Sequence, residues 1–173
     1  MNNAINLCFS LFKLFSLKLR YGKHFFAGKR FKAMGSCIKI TKKSGVINLG
    51  CSFKAMRNTI IHSDGGTIEI GNNFFINSNS IIVSRDEIII GNNVSIGPNV
   101  CIYDHNHDDK RVKNRSKIII EDGVWIGAGV IILQGVRIGK NAIIGAGSVI
   151  TKNISPGSKI YQKRDTIVVE VES

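Results

Sequence analysis

Isoleucine recurs every six residues at Ile120, Ile126, Ile132, Ile138, Ile144 and Ile150. Neither the 3.6-residue period of a helix nor the two-residue period of an unbroken strand produces that step. From Ile126 onward a smaller residue stands two positions before each isoleucine (Val124, Val130, Val136, Ala142, Ser148), and Gly127, Gly139 and Gly145 follow three of them. One large inward residue per short flat strand, with small residues at the corners, describes a triangular prism in which three hexads close one coil. The chain therefore reads as a parallel β-helix, an all-β solenoid.

The same step runs upstream through Ile70, Ile76 and Ile82. It slips at Ser84-Arg85-Asp86-Glu87 and resumes at Ile90, Ile96 and Ile102. Ile38, Ile40, Ile47, Leu49, Phe53 and Ile61 predict less regular first coils, as expected where a solenoid's end turn has no neighbour to stack on. At 173 residues the chain is one domain by length, and its eighteen glycines and two prolines suit a fold made of tight turns. Residues 1–20 read as a basic amphipathic segment, 21–160 as the β-helix with a long loop at 103–117, and 161–173 as a tail or last strand.

Cys8, Cys37, Cys51 and Cys101 have no metal-ligand spacing, and Cys51 and Cys101 fall in coil sequence, so all four read as reduced core or corner thiols of a cytoplasmic protein. The net charge of +12 is concentrated at the start, because residues 1–43 hold ten Lys and Arg and no Asp or Glu. The apolar stretch from Leu11 to Leu19 is interrupted by Lys13 and Lys18 and lacks a small-residue cleavage site, which argues against a signal peptide; it is also too short and charged to span a bilayer. Cys8, Leu11, Phe12, Phe15 and Leu19 share one helical face. Two readings stand open: a helix lying on anionic lipid at the inner face of the cytoplasmic membrane, or a cap on the open end of the prism. No nucleic-acid-binding motif accompanies the charge.

The chemistry is expected in Tyr103-Asp104-His105-Asn106-His107-Asp108-Asp109. From Ile102 to Ile120 is one coil's length, yet its inward positions would be Asp108 and Asn114, which a core rejects, so the segment must leave the prism. A loop this long inside a compact solenoid usually has a job. Two of the chain's four histidines lie in it, beside carboxylates able to fix an imidazole tautomer. The plainer alternative is a polar loop whose histidines only bond their neighbours.

Gly71-Asn72-Asn73-Phe74-Phe75-Ile76-Asn77-Ser78-Asn79, Ile90-Gly91-Asn92-Asn93-Val94-Ser95-Ile96-Gly97-Pro98-Asn99-Val100, the histidine loop, Gly123-Val124-Trp125-Ile126-Gly127-Ala128-Gly129-Val130 and Ile144-Gly145-Ala146-Gly147-Ser148-Val149-Ile150-Thr151-Lys152 follow one another in order. Across residues 65–155 this resembles the hexapeptide-repeat acetyltransferases, in particular those acting on sugars and surface polysaccharides. The resemblance implies a left-handed coil, a hand that the usual right-handed crossover preference would not supply. It implies acetyl-CoA as acyl donor, a saccharide hydroxyl as acceptor, no metal, and a homotrimer with sites between prisms.

Residue by residue, the family's general base falls on His107, with His105 the lesser candidate. The acceptor-side asparagine falls on Asn77, and the indole by the reactive end of the cofactor on Trp125. Gly127, Ala128, Gly145 and Ala146 match the small positions along the pantetheine arm, and Thr151 and Lys152 those near the nucleotide phosphates. Asp108 follows His107 where proline is common, the Asp-His-x-His form of surface-polysaccharide acetyltransferases. Acyl transfer from an activated thioester needs alignment and a base of near-neutral pKa, which suits direct attack without an acyl-enzyme. Three alternatives differ in class or acceptor: a gamma-carbonic-anhydrase-like metal-dependent hydratase using His105, His107 and a neighbouring subunit's His62; an acetyltransferase of a small drug; and a noncatalytic scaffold with a basic tail.

Overall fold

The computed structural model describes residues 3–33, 35–42, 44–106 and 115–163. A helix, α1 (Asn3–Tyr21), leads into three parallel sheets that form the faces of a prism. The first face holds β1 (Phe25–Ala27), β4 (Val46–Leu49), β7 (Thr67–Ile70), β10 (Glu87–Ile90), β13 (Ile118–Ile120) and β16 (Arg137–Ile138). The second holds β2 (Lys32–Ala33), β5 (Lys54–Ala55), β8 (Phe75–Ile76), β11 (Ser95–Ile96), β14 (Trp125–Ile126), β17 (Ile143–Ile144) and β19 (Lys159–Ile160). The third holds β3 (Cys37–Ile40), β6 (Ile60–Ser63), β9 (Ile81–Ser84), β12 (Cys101–Tyr103), β15 (Ile131–Ile132) and β18 (Val149–Ile150). The chain visits the faces in rotation and winds left-handedly for about six turns.

Each two-residue strand shows how a hexad becomes geometry. In β14 the first side chain, Trp125, points out and the second, Ile126, is fully buried; β15, β16 and β17 repeat this with Ile132, Ile138 and Ile144. The residue two before each isoleucine also points inward, at the corner. At the corner between the first and second faces that position reads Phe31, Phe53, Phe74, Val94, Val124 and Ala142, all buried. Phe31, Phe53 and Phe74 stack with ring centroids 5.5 and 5.6 Å apart. Bulk is concentrated in the early coils.

The corners turn through left-handed residues. Asn58, Asn79, Asn99, Gly129 and Gly147 follow the second face in successive coils, with φ between 58° and 69°. Glycine and asparagine are the residues that accept this conformation at least cost. The Asn58 side-chain amide also donates to Asn79 Oδ1 at 3.2 Å, so the turns are cross-linked along the axis.

The early coils are longer than the late ones. Leu49 pairs with Ile70 and Ile70 with Ile90, steps of 21 and 20 residues, whereas Ile120 pairs with Ile138, a step of 18. Ile90 pairs directly with Ile120, which confirms that an excursion leaves the coil between them. In these coils every residue beyond a hexad leaves at one corner, between the third face and the first, so the slip at residues 84–87 and the base of the histidine loop sit one above the other.

Helix α1 lies across the open end of the first coil, with Leu17 buried and Leu14 and Tyr21 packed on the core. The cysteines correct the sequence reading in part. Cys8, Cys37 and Cys51 are exposed and Cys101 is half-buried, all as free thiols. The inward positions are filled by the hexad residues, so Cys51 sits at a corner and Cys101 on the outer side of β12; none belongs to the core.

Candidate functional site

The corner where the extra residues accumulate is built on a buried polar column. Ser63 and Ser84 are in register, and both are fully buried together with Asp104. Asp104 occupies an inward position at the end of β12. It accepts hydrogen bonds from the Ser84 hydroxyl at 2.7 Å and from the peptide N–H groups of Arg85 at 2.8 Å and Asp86 at 2.9 Å. These are peptide groups of the slip in the coil below, which the extra residues carry out of the ladder. The carboxylate satisfies them, and their donation makes its burial tolerable.

The same carboxylate holds His105, whose Nδ1 lies 3.0 Å from Asp104 Oδ1. An ionised carboxylate only accepts, so Nδ1 is the donor in this contact. Tyr103 meets the imidazole edge-on at 6.1 Å. The return strand of the loop is pinned at the same level: His105 and Arg115 form an antiparallel bridge, Ser116 N–H donates to the Asp104 carbonyl at 3.0 Å, and the Arg115 guanidinium donates to the Arg85 carbonyl at 3.0 Å. His107, the residue to which the family resemblance assigns the base, lies outside the described residues.

Beneath this stands a second cluster. Asp64 accepts from Arg85 Nε at 2.9 Å and from the Thr41 hydroxyl at 2.8 Å, and pairs with Lys42 at 3.3 Å. Partial burial works against its charge, but these donors prevail and hold its pKa at about 2. Thr41 Oγ1 also lies 3.0 Å from His62 Nε2. Burial lowers the pKa of His62, against the opposing pull of Asp64, with Lys39, Arg85 and His105 adding to the lowering. Of this cluster only His62 stood out in the sequence. Thr41, Asp64 and Arg85 were legible only as residues in excess of the hexad at one corner. Among the described residues no group of three or more His, Cys, Asp or Glu is placed to hold a metal ion.

The other candidate residues divide between two edges of the third face. Asn77, Gly127, Ala128, Gly145 and Ala146 share the corner between the second and third faces. Thr151 and Lys152 are exposed at the opposite corner, beyond β18 and on the same edge as the histidine loop. Trp125, half-exposed, stands on the outer side of the second face in register with Ser95 and Ile143. A single chain therefore does not bring His105 together with Asn77 and Trp125.

The small residues separate into two kinds. A Cβ on Gly127 would lie 2.7 Å from Ala146 N, and one on Gly145 would lie 2.9 Å from the Ile160 carbonyl oxygen. Glycine at these positions is required by the next coil, whatever else binds there. Ala128 and Ala146 are exposed, and no packing forbids a larger side chain. Their smallness leaves the edge open from outside. Asn77 Oδ1 accepts from Ser78 N–H at 2.8 Å, and the Asn77 carbonyl accepts from the Thr59 hydroxyl at 3.2 Å, so its orientation is fixed by its own corner.

The profile of the bacterial transferase hexapeptide family, six repeats, matches residues 117–152, the stretch in which the coils are most regular. That stretch carries the six-residue repeat of those transferases. The chain is 45% identical over 96 residues to a galactoside O-acetyltransferase of Lactococcus lactis, covering 52% of this chain and 46% of that protein. The chain thus spans about half the length of the curated relatives it matches. Among solved structures, a hexapeptide-repeat acetyltransferase of Vibrio cholerae complexed with acetyl coenzyme A is similar at a TM-score of 0.55 and 25% identity, over 90% of this chain and 74% of that one. An N-acyltransferase of Bacillus cereus shares the fold at a TM-score of 0.67 and 20% identity, over 82% and 81% of the two chains.

Proposed function

We propose that this hexapeptide-repeat protein is an acetyl-CoA-dependent O-acetyltransferase of a saccharide hydroxyl, acting in the cytoplasm in the assembly of a surface polysaccharide. The observation that carries the reading is the loop base: a buried carboxylate spends its lone pairs on the coil below and on His105, so that a two-histidine loop leaves the prism at a fixed point. Similarity to a galactoside O-acetyltransferase and to an acetyltransferase complexed with acetyl coenzyme A supports the donor and the class of acceptor.

In this reading His107 takes the proton from the acceptor hydroxyl while the oxygen attacks the thioester carbonyl. The carbon–sulfur bond then breaks, and the proton passes to the departing thiolate of coenzyme A. Asp104 and His105 act as positioning residues that fix where the loop exits. The open edge at Ala128 and Ala146 takes the pantetheine arm, and Lys152 stands where a phosphate needs a cation. Because Asn77 lies at the opposite edge of the third face and Trp125 on the second face of the same prism, the complete site requires a second copy. A homotrimer supplies it, with the outer apolar residues of the third face, Ile60, Ile81, Ile131 and Val149, available for contact.

The test is release of free thiol from acetyl-CoA in the presence of free sugars, nucleotide sugars, lipid-linked glycans and small drugs, with mass spectrometry of the product. A gain of one acetyl group on a saccharide is expected. Acetylation confined to a drug, or thioester cleavage indifferent to every acceptor, would sink the saccharide reading. Replacing His107 by Ala should lower transfer by about a hundredfold or more with cofactor affinity nearly unchanged, as loss of a general base predicts. Should His105→Ala show that loss and His107→Ala not, the base is His105.

A further inference from the structure

Helix α1 has two apolar faces, and the fold uses only one. Leu14, Leu17 and Tyr21 pack on the end of the prism, where Ser10 is also buried. Lys13 Nζ donates to the Ser36 carbonyl and to the Ser36 hydroxyl, and burial lowers its pKa. On the opposite side of the helix Leu11, Phe12, Phe15 and Leu19 are 55%, 72%, 66% and 77% exposed. At 100° per residue Phe12, Phe15 and Leu19 fall on one line, and Lys18 and Arg20 flank it on either side, both exposed. The basic character continues onto the first coil, where Lys23, Lys29, Arg30, Lys32 and Lys39 are exposed.

We propose that this strip is a docking surface for an anionic lipid bilayer, with α1 lying in the headgroup region and the prism standing on it by its first coil. Solvent does not favour three large apolar side chains in a line, so the strip requires a cover. Charge selects among the covers. A second copy pairing strip to strip would bring Lys18 and Arg20 of one chain against those of the other in a segment whose first 43 residues hold no acidic side chain. Acidic headgroups neutralise the same residues while the acyl boundary takes Phe12, Phe15 and Leu19. Among the described residues no helix is long and apolar enough to cross a membrane, so the geometry is one of lying on the bilayer. The proposal stands independently of the chemistry assigned to the histidine loop.

The test is sedimentation of the full chain with vesicles of phosphatidylcholine alone and of phosphatidylcholine with about one third phosphatidylglycerol, at low and high salt. Binding to the anionic vesicles alone, weakened by salt, is expected. The triple substitution Phe12→Ser, Phe15→Ser, Leu19→Ser should reduce it at least tenfold or so, and Lys18→Gln roughly fivefold, with the thermal unfolding midpoint nearly unchanged because all four side chains are exposed. Truncation is the wrong instrument, since it would also remove the cap formed by Leu14 and Leu17. Equal binding to neutral vesicles, or anionic binding that survives the triple substitution, overturns the proposal. So does failure to bind either vesicle. If in that case light scattering shows the triple substitution reducing the mass in solution, the strip is a contact between copies of this chain.

Discussion

Asp104 shows how one residue can serve structure and site together. Its carboxylate closes the polar corner of one coil and anchors an imidazole in the next. Replacing it by Asn keeps the volume but puts an amide NH2 where one of the peptide donors now points. We predict a loss of about 1–3 kcal/mol, the cost of leaving buried donors unmatched, measured as a lower denaturation midpoint. His105→Gln, which keeps a donor for the carboxylate, should cost less than half as much. Asp64 gives the residue scale a pH dependence. Its pKa is depressed on folding from the ordinary 3.8 to about 2, so its contribution is complete above pH 3.8 and disappears as the pH falls toward 2. Asp64→Asn should therefore flatten the acid limb of the stability profile between those values. At neutral pH it should cost about 1 kcal/mol or less, because its partner Lys42 is largely in solvent.

At the scale of the strand and corner, the hexad makes separable predictions. Ile132→Ala should cost roughly 2–5 kcal/mol, since its side chain is fully buried in a narrow column between coils that cannot collapse onto the gap. Asn79→Ala removes no core contact but leaves φ of 61° to a residue without the short polar side chain that lets asparagine accept it, and should cost roughly 1–2 kcal/mol while Asn79→Gly is nearly neutral. Matched unfolding curves check both, and equal losses for Ala and Gly at position 79 would assign the effect to the side-chain amide ladder. This scale is also the most legible in sequence. Ile126, Ile132, Ile138 and Ile144 lie where a period of six puts them, because each strand contributes a single inward residue and nothing from a distant segment competes for that place. The slip at Ser84 and the exit after Ile102 were legible for the same reason, as breaks in a count. The partners of Asp104 were not, because which peptide N–H groups a corner leaves unpaired depends on how the excess residues of two coils stack. Membership of coil sequence leaves Cys51 and Cys101 open between core and corner, because only the position within the hexad distinguishes inside from outside. The N-terminal pattern did not choose between a cap and an exposed strip, and the helix is both, since its two apolar stripes lie on opposite sides.

At the scale of the whole molecule, the division of the candidate residues between edges becomes a statement about assembly. If a site takes His107 from one prism and Asn77 from its neighbour around a closed ring of three, a trimer of only His107→Ala chains has no intact site, and neither has a trimer of only Asn77→Ala chains. Any ring containing both kinds has one boundary at which an intact His107 faces an intact Asn77, hence one working site in three. Random mixing of equal amounts makes about three quarters of the rings mixed, so total activity should recover to about a quarter of the unmutated level. The expectation is tested by co-expressing the two variants with different tags, isolating doubly tagged protein and measuring acetyl transfer at low acceptor concentration, where loss of Asn77 is felt most. Within the doubly tagged fraction recovery should approach one third. Activity no higher than that of the separate variants would mean that each site is built within one chain. The edges of the third face would then have to be bridged by the loop itself, and the ring would have to be abandoned as the functional unit.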